Sequence, residues 1–474
     1  MQIVILVGLL IALTLQDGCS SAIPVIAAGP ALLAYLLGAG ILSGVDAALS
    51  VRALRRPGGS TARAVRRHNV VSLATRVWLL AGLAGVMLFG YGRWLHETLG
   101  GLPIPLLDEA AAAAPLLAGV LLVWLLDYRF HLAMRQDFAA RRAQADPFGE
   151  PSAAIRAWSH REYLAYNLRH QVLFVLAPVG LILLARDCLL LFVYPRLEEQ
   201  VAGLVLATGM LLAAGGVFLA APLLIVRIWK TRRLAGGELR EALEEMSRRL
   251  GLAYRDILVW ESGGIVVNAG VVGLIAPVRY VLLSDGLIEH LDRRDVRVIF
   301  AHEAGHIIHH HILYAAMFAV GSIALIATGM DAVRLWLQLS EGWAEALTLA
   351  VLLPTWGMTF GWLSRCFERQ SDVTAAWASG RTGDGEDPDR ITHEGAAMFA
   401  RALQRVGELN GIPSGQRNWR HGSIARRVSY VLWLGSTSGT RRRDDALVAR
   451  LKVGLWFLLA AAATAMILDT LLFS

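Results

Sequence analysis

The stretch Phe300-Ala301-His302-Glu303-Ala304-Gly305-His306-Ile307-Ile308-His309 contains a His-Glu-x-x-His motif with apolar residues on both sides. A spacing of four residues places His302 and His306 on one face of a helix, where both imidazoles can bind a single zinc ion. The carboxylate of Glu303 can then act as a base on a water molecule. The stretch therefore predicts a helix that carries two metal ligands and a catalytic base.

A catalytic zinc ion needs a third protein ligand, and the best candidate in this chain is Glu368. Asp372 lies one helical turn further along on the same face, so it can orient a ligand imidazole while Glu368 binds the metal. Alternatively, the two acids form a solvated pair beside Arg365 and Arg369. We favour the first interpretation, and we expect one zinc ion per chain.

The rest of the chain is unusually apolar. Of its 474 residues 55% are hydrophobic, and the mean hydropathy is +0.51. The apolar residues occur in runs that are long enough to cross a bilayer, which predicts a mainly α polytopic membrane protein. The predicted spans are Ile23–Leu49, Val70–Leu95, Ala110–Tyr128, Val172–Pro195, Val201–Trp229, Ile312–Met330, Ala344–Leu363 and Val453–Phe473. Residues 2–15 lack the basic start of a signal peptide, so we interpret them as an embedded helix.

Basic loops predict the orientation of the spans. Arginine is concentrated in the connections 52–67, 129–161 and 227–233, and positively charged loops stay in the cytoplasm. Two predicted spans separate His306 from Glu368, and a hairpin of two spans returns the chain to the side that it left. The site is therefore expected at the cytoplasmic membrane surface, about 10 Å from the hydrocarbon boundary.

These patterns predict three parts of the chain. Residues 1–228 form a transmembrane block, and residues 452–474 form a C-terminal transmembrane helix. Residues 229–451 form a zincin-like cytoplasmic domain, interrupted by the transmembrane hairpin 312–363. Within this domain the periodicity predicts a helix at Glu238–Leu250 and a small β-sheet that contains Ile265–Ile275 and Arg279–Leu283.

Composition narrows the location and the partners. Only Lys230 and Lys452 are lysine among 45 basic residues, and this arginine bias indicates a GC-rich bacterial genome and hence the inner membrane. The net charge of +7 favours contact with anionic lipid. Basic and aromatic residues do not alternate in a nucleic-acid-binding pattern, so we expect no nucleic-acid partner. Three scattered cysteines exclude a disulfide framework.

Residues 236–431 resemble the membrane gluzincin peptidases, a family that includes HtpX-type proteases and the CAAX prenyl endopeptidases. The similarity rests on Trp260–Ser262, Val267–Gly270, Leu283–Leu287, the His-Glu-x-x-His segment, Ser364–Asp372 and His421–Val428. Gly422 stands where the family usually has proline.

The resemblance implies zinc ligands at His302, His306 and Glu368, with Glu303 as the catalytic base. It places Asn268 and Ala269 on an edge strand beside the cleft, where an extended substrate can add as a further strand. It also implies that His421 and Arg427 stabilise the tetrahedral intermediate.

The resemblance implies an integral-membrane zinc metalloendopeptidase that cleaves peptides or membrane proteins, in quality control or in peptide processing. It does not supply the substrate, because bacteria are not expected to make prenylated CAAX proteins. The alternative is a membrane scaffold or transporter with a vestigial zinc site. The remaining histidines, His309, His310 and His311, are interpreted as interfacial residues or as residues that support the ligands, and the alternative is a second or regulatory metal site.

Overall fold

The computed structural model describes residues 1–18, 25–56, 61–100, 102–145, 158–264, 266–339, 341–380, 389–437 and 439–473. The start of the first predicted span lies outside these residues. The chain divides into two units, Met1–Trp229 and Lys230–Ser474. The prediction of a mainly α membrane protein with one small sheet is confirmed.

The first unit consists of helices. They are α1 (Gln2–Gly18), α2 (Ala28–Arg55), α3 (Thr61–Val86), α4 (Gly92–Leu99), α5 (Leu107–Ala145), α6 (His160–Asn167), α7 (Phe174–Cys188) and α8 (Glu199–Ile228). Short π-helical segments adjoin α3, α6 and α7. The core of the unit is an apolar cluster that contains the fully buried Tyr35, Leu79, Leu83 and Leu116. Helices α1, α2, α3 and α5 meet in this cluster.

Seven helical segments are long and apolar enough to cross a bilayer: Val25–Arg55, Arg63–Leu99, Leu107–Asp137, His160–Arg196, Val201–Ile228, His311–Leu337 and Arg442–Leu468. Each overlaps one of the eight predicted spans. The eighth, Ala344–Leu363, forms part of a 39-residue helix that is not among the seven found in the described residues. The second arm of the hairpin at 312–363 therefore stays a prediction.

The second unit contains a mixed four-stranded sheet with the order β1-β2-β4-β3. Its strands are β1 (Thr231–Arg233), β2 (Asp256–Trp260), β3 (Ala269–Val272) and β4 (Tyr280–Ser284). Strand β4 runs parallel to β2 and antiparallel to β3, so β3 lies at an edge. The pairing of β3 with β4 agrees with the strand pair expected from the sequence.

The helices of this unit are α9 (Glu238–Arg249), α10 (Asp285–His290), α11 (Arg293–Ile308), α12 (His311–Leu337), α13 (Glu341–Ser379), α14 (His393–Leu409), α15 (Ile424–Ser436) and α16 (Arg442–Phe473). Helix α11 begins where the side chain of Asp292 accepts a hydrogen bond from the N–H of Asp295 (2.8 Å), a typical N-cap. The helix lies in the core, and Phe300 is fully buried.

Helices α11 and α13 approach each other closely at Gly305. A Cβ atom placed on Gly305 would lie 3.1 Å from the Cα of Ser371, tighter than ordinary van der Waals contact. Glycine at this position therefore permits the approach that brings the residues of α13 beside the His-Glu-x-x-His face of α11.

The chain turns sharply between α11 and α12. His310 adopts a left-handed backbone conformation (φ 55°), which is uncommon for a residue other than glycine. Helix α11 ends at Ile308, so His309, His310 and His311 do not continue it. The new helix starts at His311, whose side chain packs back against His306.

Candidate active site

Three side chains from α11 and α13 converge on one point. The Nε2 atoms of His302 and His306 lie 3.3 Å apart. The Glu368 oxygens lie 3.6 Å from Nε2 of His302 and 3.7 Å from Nε2 of His306. Ligand atoms bound tetrahedrally to zinc at about 2.0 Å are separated by about 3.3 Å, so the three atoms fit around one ion. The structure thus brings together the three ligands predicted from the sequence.

The other ring nitrogen of His302 faces Asp372, with Nδ1 3.0 Å from Oδ1 of that carboxylate. Asp372 is held in turn by Arg427, whose Nε and Nη2 donate hydrogen bonds of 2.8 and 2.5 Å to its two oxygens. An acceptor at Nδ1 keeps the proton there and leaves the Nε2 lone pair of His302 for a metal. Asp372 therefore lies where the sequence predicted an orienting carboxylate.

A chain of hydrogen bonds orients His306 in a similar way. Nε2 of Gln370 donates a hydrogen bond to Asp445 (2.6 Å). This bond orients the amide so that Oε1 of Gln370 faces Nε2 of His311 (2.9 Å). Because that oxygen accepts, the proton of His311 sits on Nε2, and its Nδ1 accepts from Nδ1 of His306 (2.9 Å). The Nε2 lone pair of His306 is then directed at the candidate metal position. We name Asp445, Gln370 and His311 the His306 relay.

The electrostatics of the site favour a cation. Burial would raise the pKa of Glu368, but the charge of Arg427 and contacts with His302 and His421 hold it well below its usual range. Burial would lower the pKa of His302, but Asp372 and Glu368 raise it to about 10. Burial lowers the pKa of His306 to about 3, so this imidazole is neutral. The negative potential that draws a proton to His302 also attracts a divalent ion.

Glu303 lies beside these ligands at the wall of an open cleft of about 780 Å³, lined also by His302, His306 and Glu368. Burial raises the pKa of its carboxyl, an effect partly offset by the charge of His302. A carboxylate with a raised pKa accepts a proton more readily than an ordinary glutamate does. Glu303 is therefore suited to act as a base in the cleft.

The edge strand β3 forms another wall of the cleft. Asn268, just before the strand, donates from its N–H to Oγ of Ser284 (3.0 Å), and its carbonyl accepts from the N–H of Ser284 (3.0 Å). Main-chain groups alternate in direction along a strand, so those of Ala269 point away from β4. Of the two predicted substrate-binding residues, Ala269 thus presents its main chain to the cleft, while the main chain of Asn268 faces β4.

The remaining predicted residues, His421 and Arg427, also line the cleft. Nδ1 of His421 is 2.8 Å from Oε1 of Glu368, and its side chain is 44% exposed. Arg427 reaches Oε2 of Glu368 at 3.3 Å as well as Asp372. A role for both residues in stabilising the tetrahedral intermediate stays a prediction. Gly422 has φ 79°, a value that the proline ring cannot adopt, so the backbone at this position excludes proline.

Sequence reasoning did not identify two residues that shape the site. Gln370 lies between Glu368 and Asp372 in the sequence, and no motif distinguishes it. The side-chain amide of Asn410 pairs with both main-chain groups of Val267, as a neighbouring strand would. Its Nδ2 donates to the Val267 carbonyl (2.7 Å), and its Oδ1 accepts from the Val267 N–H (3.3 Å). No motif in the sequence distinguishes Asn410 either.

Comparisons with known proteins show similarities of family and of fold. Residues 234–391 match the model of peptidase family M48. A solved structure, the crystal structure of S. mikatae Ste24p, is similar with a TM-score of 0.51 and 14% identity, over 85% of this chain and 98% of the other. At this identity the likeness concerns the fold. No curated protein matches the chain significantly.

The fold and the family match together support a multi-pass membrane metallopeptidase. The resemblance noted in the sequence is confirmed, since residues 234–391 match peptidase family M48.

Proposed function

We propose that this protein is an integral-membrane zinc metalloendopeptidase that hydrolyses peptide bonds at the cytoplasmic face of a bacterial inner membrane. The observation that carries the proposal is the convergence of His302, His306 and Glu368, with donor atoms 3.3 to 3.7 Å apart. Peptidase family M48 supplies the reaction class, and the donor set of two imidazoles and one carboxylate is typical of catalytic zinc.

Zinc bound by these three residues would lower the pKa of a water molecule toward about 7 and polarise the scissile carbonyl. Glu303 removes the proton from the attacking water and passes it to the leaving amine. Ala269 binds the substrate main chain as an added strand, which holds the scissile bond along the cleft. Asp372 and the His306 relay keep both imidazoles in the tautomer that exposes Nε2.

Glu303→Gln tests the chemistry. This variant should keep the zinc ion of the candidate active site and lose cleavage of casein or a membrane-protein substrate by a factor of about 10² to 10⁴. His306→Ala and Glu368→Ala should lose the zinc ion of that site together with the activity. The matched control is Glu394→Gln, which neutralises an exposed carboxylate on α14 and should behave as the parent protein. Normal cleavage by Glu303→Gln would contradict the mechanism.

Elemental analysis separates this proposal from a scaffold or transporter with a vestigial site. After gentle, chelator-free purification the parent protein should hold about one zinc ion per chain more than Glu368→Ala, which supports the enzyme, whereas equal zinc contents support the scaffold. The role of the enzyme is a further question, because general quality control and the processing of one partner require different substrates. Trapping with Glu303→Gln answers it: many unrelated membrane proteins should accumulate under quality control, and one or a few under dedicated processing.

A further inference from the structure

A second group of possible metal ligands lies in the first unit. Asp46 from α2, His68 from α3 and Asp127 from α5 each offer one donor atom, and the three atoms lie within 4.8 Å of one another. Nδ1 of His68 is 2.9 Å from Oδ2 of Asp46 and 4.0 Å from Oδ1 of Asp127. We propose that these three residues, named the bundle triad, bind a divalent transition-metal ion such as zinc or manganese that cross-links the three helices.

The carboxylate of Asp46 is arranged as that of a ligand would be. Its side chain is 2% exposed, and its Oδ1 accepts a hydrogen bond from Oγ of Ser50 (2.9 Å). This bond fixes the carboxylate and leaves Oδ2 facing His68. Metal-binding carboxylates are commonly held by a hydrogen bond to the oxygen that does not bind the ion.

The ring of His68 is also held in place without using its donor atom. It packs against the ring of Phe130 with centroids 4.2 Å apart. Nδ1 faces both carboxylates, at 2.9 Å from Oδ2 of Asp46 and 4.0 Å from Oδ1 of Asp127. A metal ion bound there would take the place of a proton on Nδ1 and would bring all three donor atoms together.

The charge of the bundle triad also favours a cation. Asp46 and Asp127 lie on segments apolar enough to span a bilayer, where carboxylates are costly unless their charge is compensated. Arg76 is the cation whose charge acts on both His68 and Asp127, and it balances only one carboxylate. The competing arrangement is a protonated His68 that balances the other. A divalent ion compensates the charge of both carboxylates while His68 stays neutral, and neutral imidazole is the form of histidine that binds metals.

The experiment uses Glu368→Ala, because this variant lacks a ligand of the candidate active site. After chelator-free purification and incubation with zinc or manganese, Glu368→Ala should retain about one metal ion per chain by elemental analysis. Adding Asp127→Asn should reduce this to none, and His68→Gln should do the same if Asp127→Asn fails to fold. The control Glu97→Gln changes an exposed carboxylate of the same unit and should leave the ion in place.

Thermal unfolding in detergent gives a second readout. Added metal should raise the unfolding temperature of Glu368→Ala but not that of Glu368→Ala with Asp127→Asn. Retention of metal in both proteins, or its absence from Glu368→Ala under saturating zinc and manganese, would overturn the proposal and leave an ion pair with protonated His68. Neither result affects the peptidase assignment, which the parent protein and Glu303→Gln test separately.

Discussion

The His306 relay makes a quantitative prediction about metal affinity. His311→Phe keeps a planar ring stacked on Phe367, which now lies 4.3 Å from the His311 centroid, but it removes the acceptor for Nδ1 of His306. His311 is 3% exposed, so water cannot easily replace the lost acceptor. Loss of such a partner typically weakens metal binding about 10- to 100-fold, or by about 1.4 to 2.7 kcal/mol.

The assay is a competitive zinc titration of purified protein against a chelator of known affinity. The matched control is His393→Phe, because His393 is an exposed histidine at the start of α14 and belongs neither to the candidate active site nor to the His306 relay. Gln370→Met should give a smaller loss of affinity, since it frees the tautomer of His311 without removing the ring. A zinc dissociation constant for folded His311→Phe within twofold of the parent value would refute the reasoning.

Three further predictions concern stability and substrate binding. Arg427→Met should lower the free energy of unfolding by about 3 to 5 kcal/mol, because it leaves the buried carboxylate of Asp372 without its cation; an unchanged denaturation midpoint would contradict this. Burial lowers the pKa of His309 to about 4 in the folded protein. Below pH 6.5 the unfolded chain therefore binds more protons at this residue than the folded protein does, and the free energy of unfolding should fall as the pH drops from 6.5 to 4. Between pH 8 and 5.5 this loss is about 1 kcal/mol, and it should be absent from His309→Phe in denaturation curves at the two pH values. Ala269→Pro removes an N–H that points into the cleft, so it should raise KM while stability is kept. The control Gly270→Pro removes an N–H that pairs with β4, so it should lower the unfolding temperature. Equal KM values for Ala269→Pro and the parent would exclude strand addition at this residue.

Local patterns in the sequence predicted the parts of the site that depend on helical periodicity. The spacing of His302 and His306 placed both rings on one face, and the spacing of Glu368 and Asp372 did the same on α13. Asp292, the N-cap of α11, is of a residue type preferred at that position. These features follow from the 3.6-residue repeat and from capping chemistry, which require no knowledge of the tertiary structure.

The rest depended on contacts between distant segments. The role of His311 follows from the left-handed turn at His310, since a continuous helix would carry that ring away from His306. Gln370 and Asp445 meet only because α13 and α16 pack together, and the sequence holds no local sign of this contact. The predicted span Ala344–Leu363 illustrates a different limit: hydropathy identified the apolar run, but the run belongs to a longer helix that also carries Glu368 and Asp372.

The position of Asp445 on α16 has a consequence for biosynthesis. A nascent chain that has emerged as far as residue 440 already contains His302, His306 and Glu368, yet it lacks the carboxylate that turns the amide of Gln370. The imidazole of His306 can then exchange its proton between the two nitrogens. We therefore expect tight metal binding at the candidate active site only after α16 has been translated.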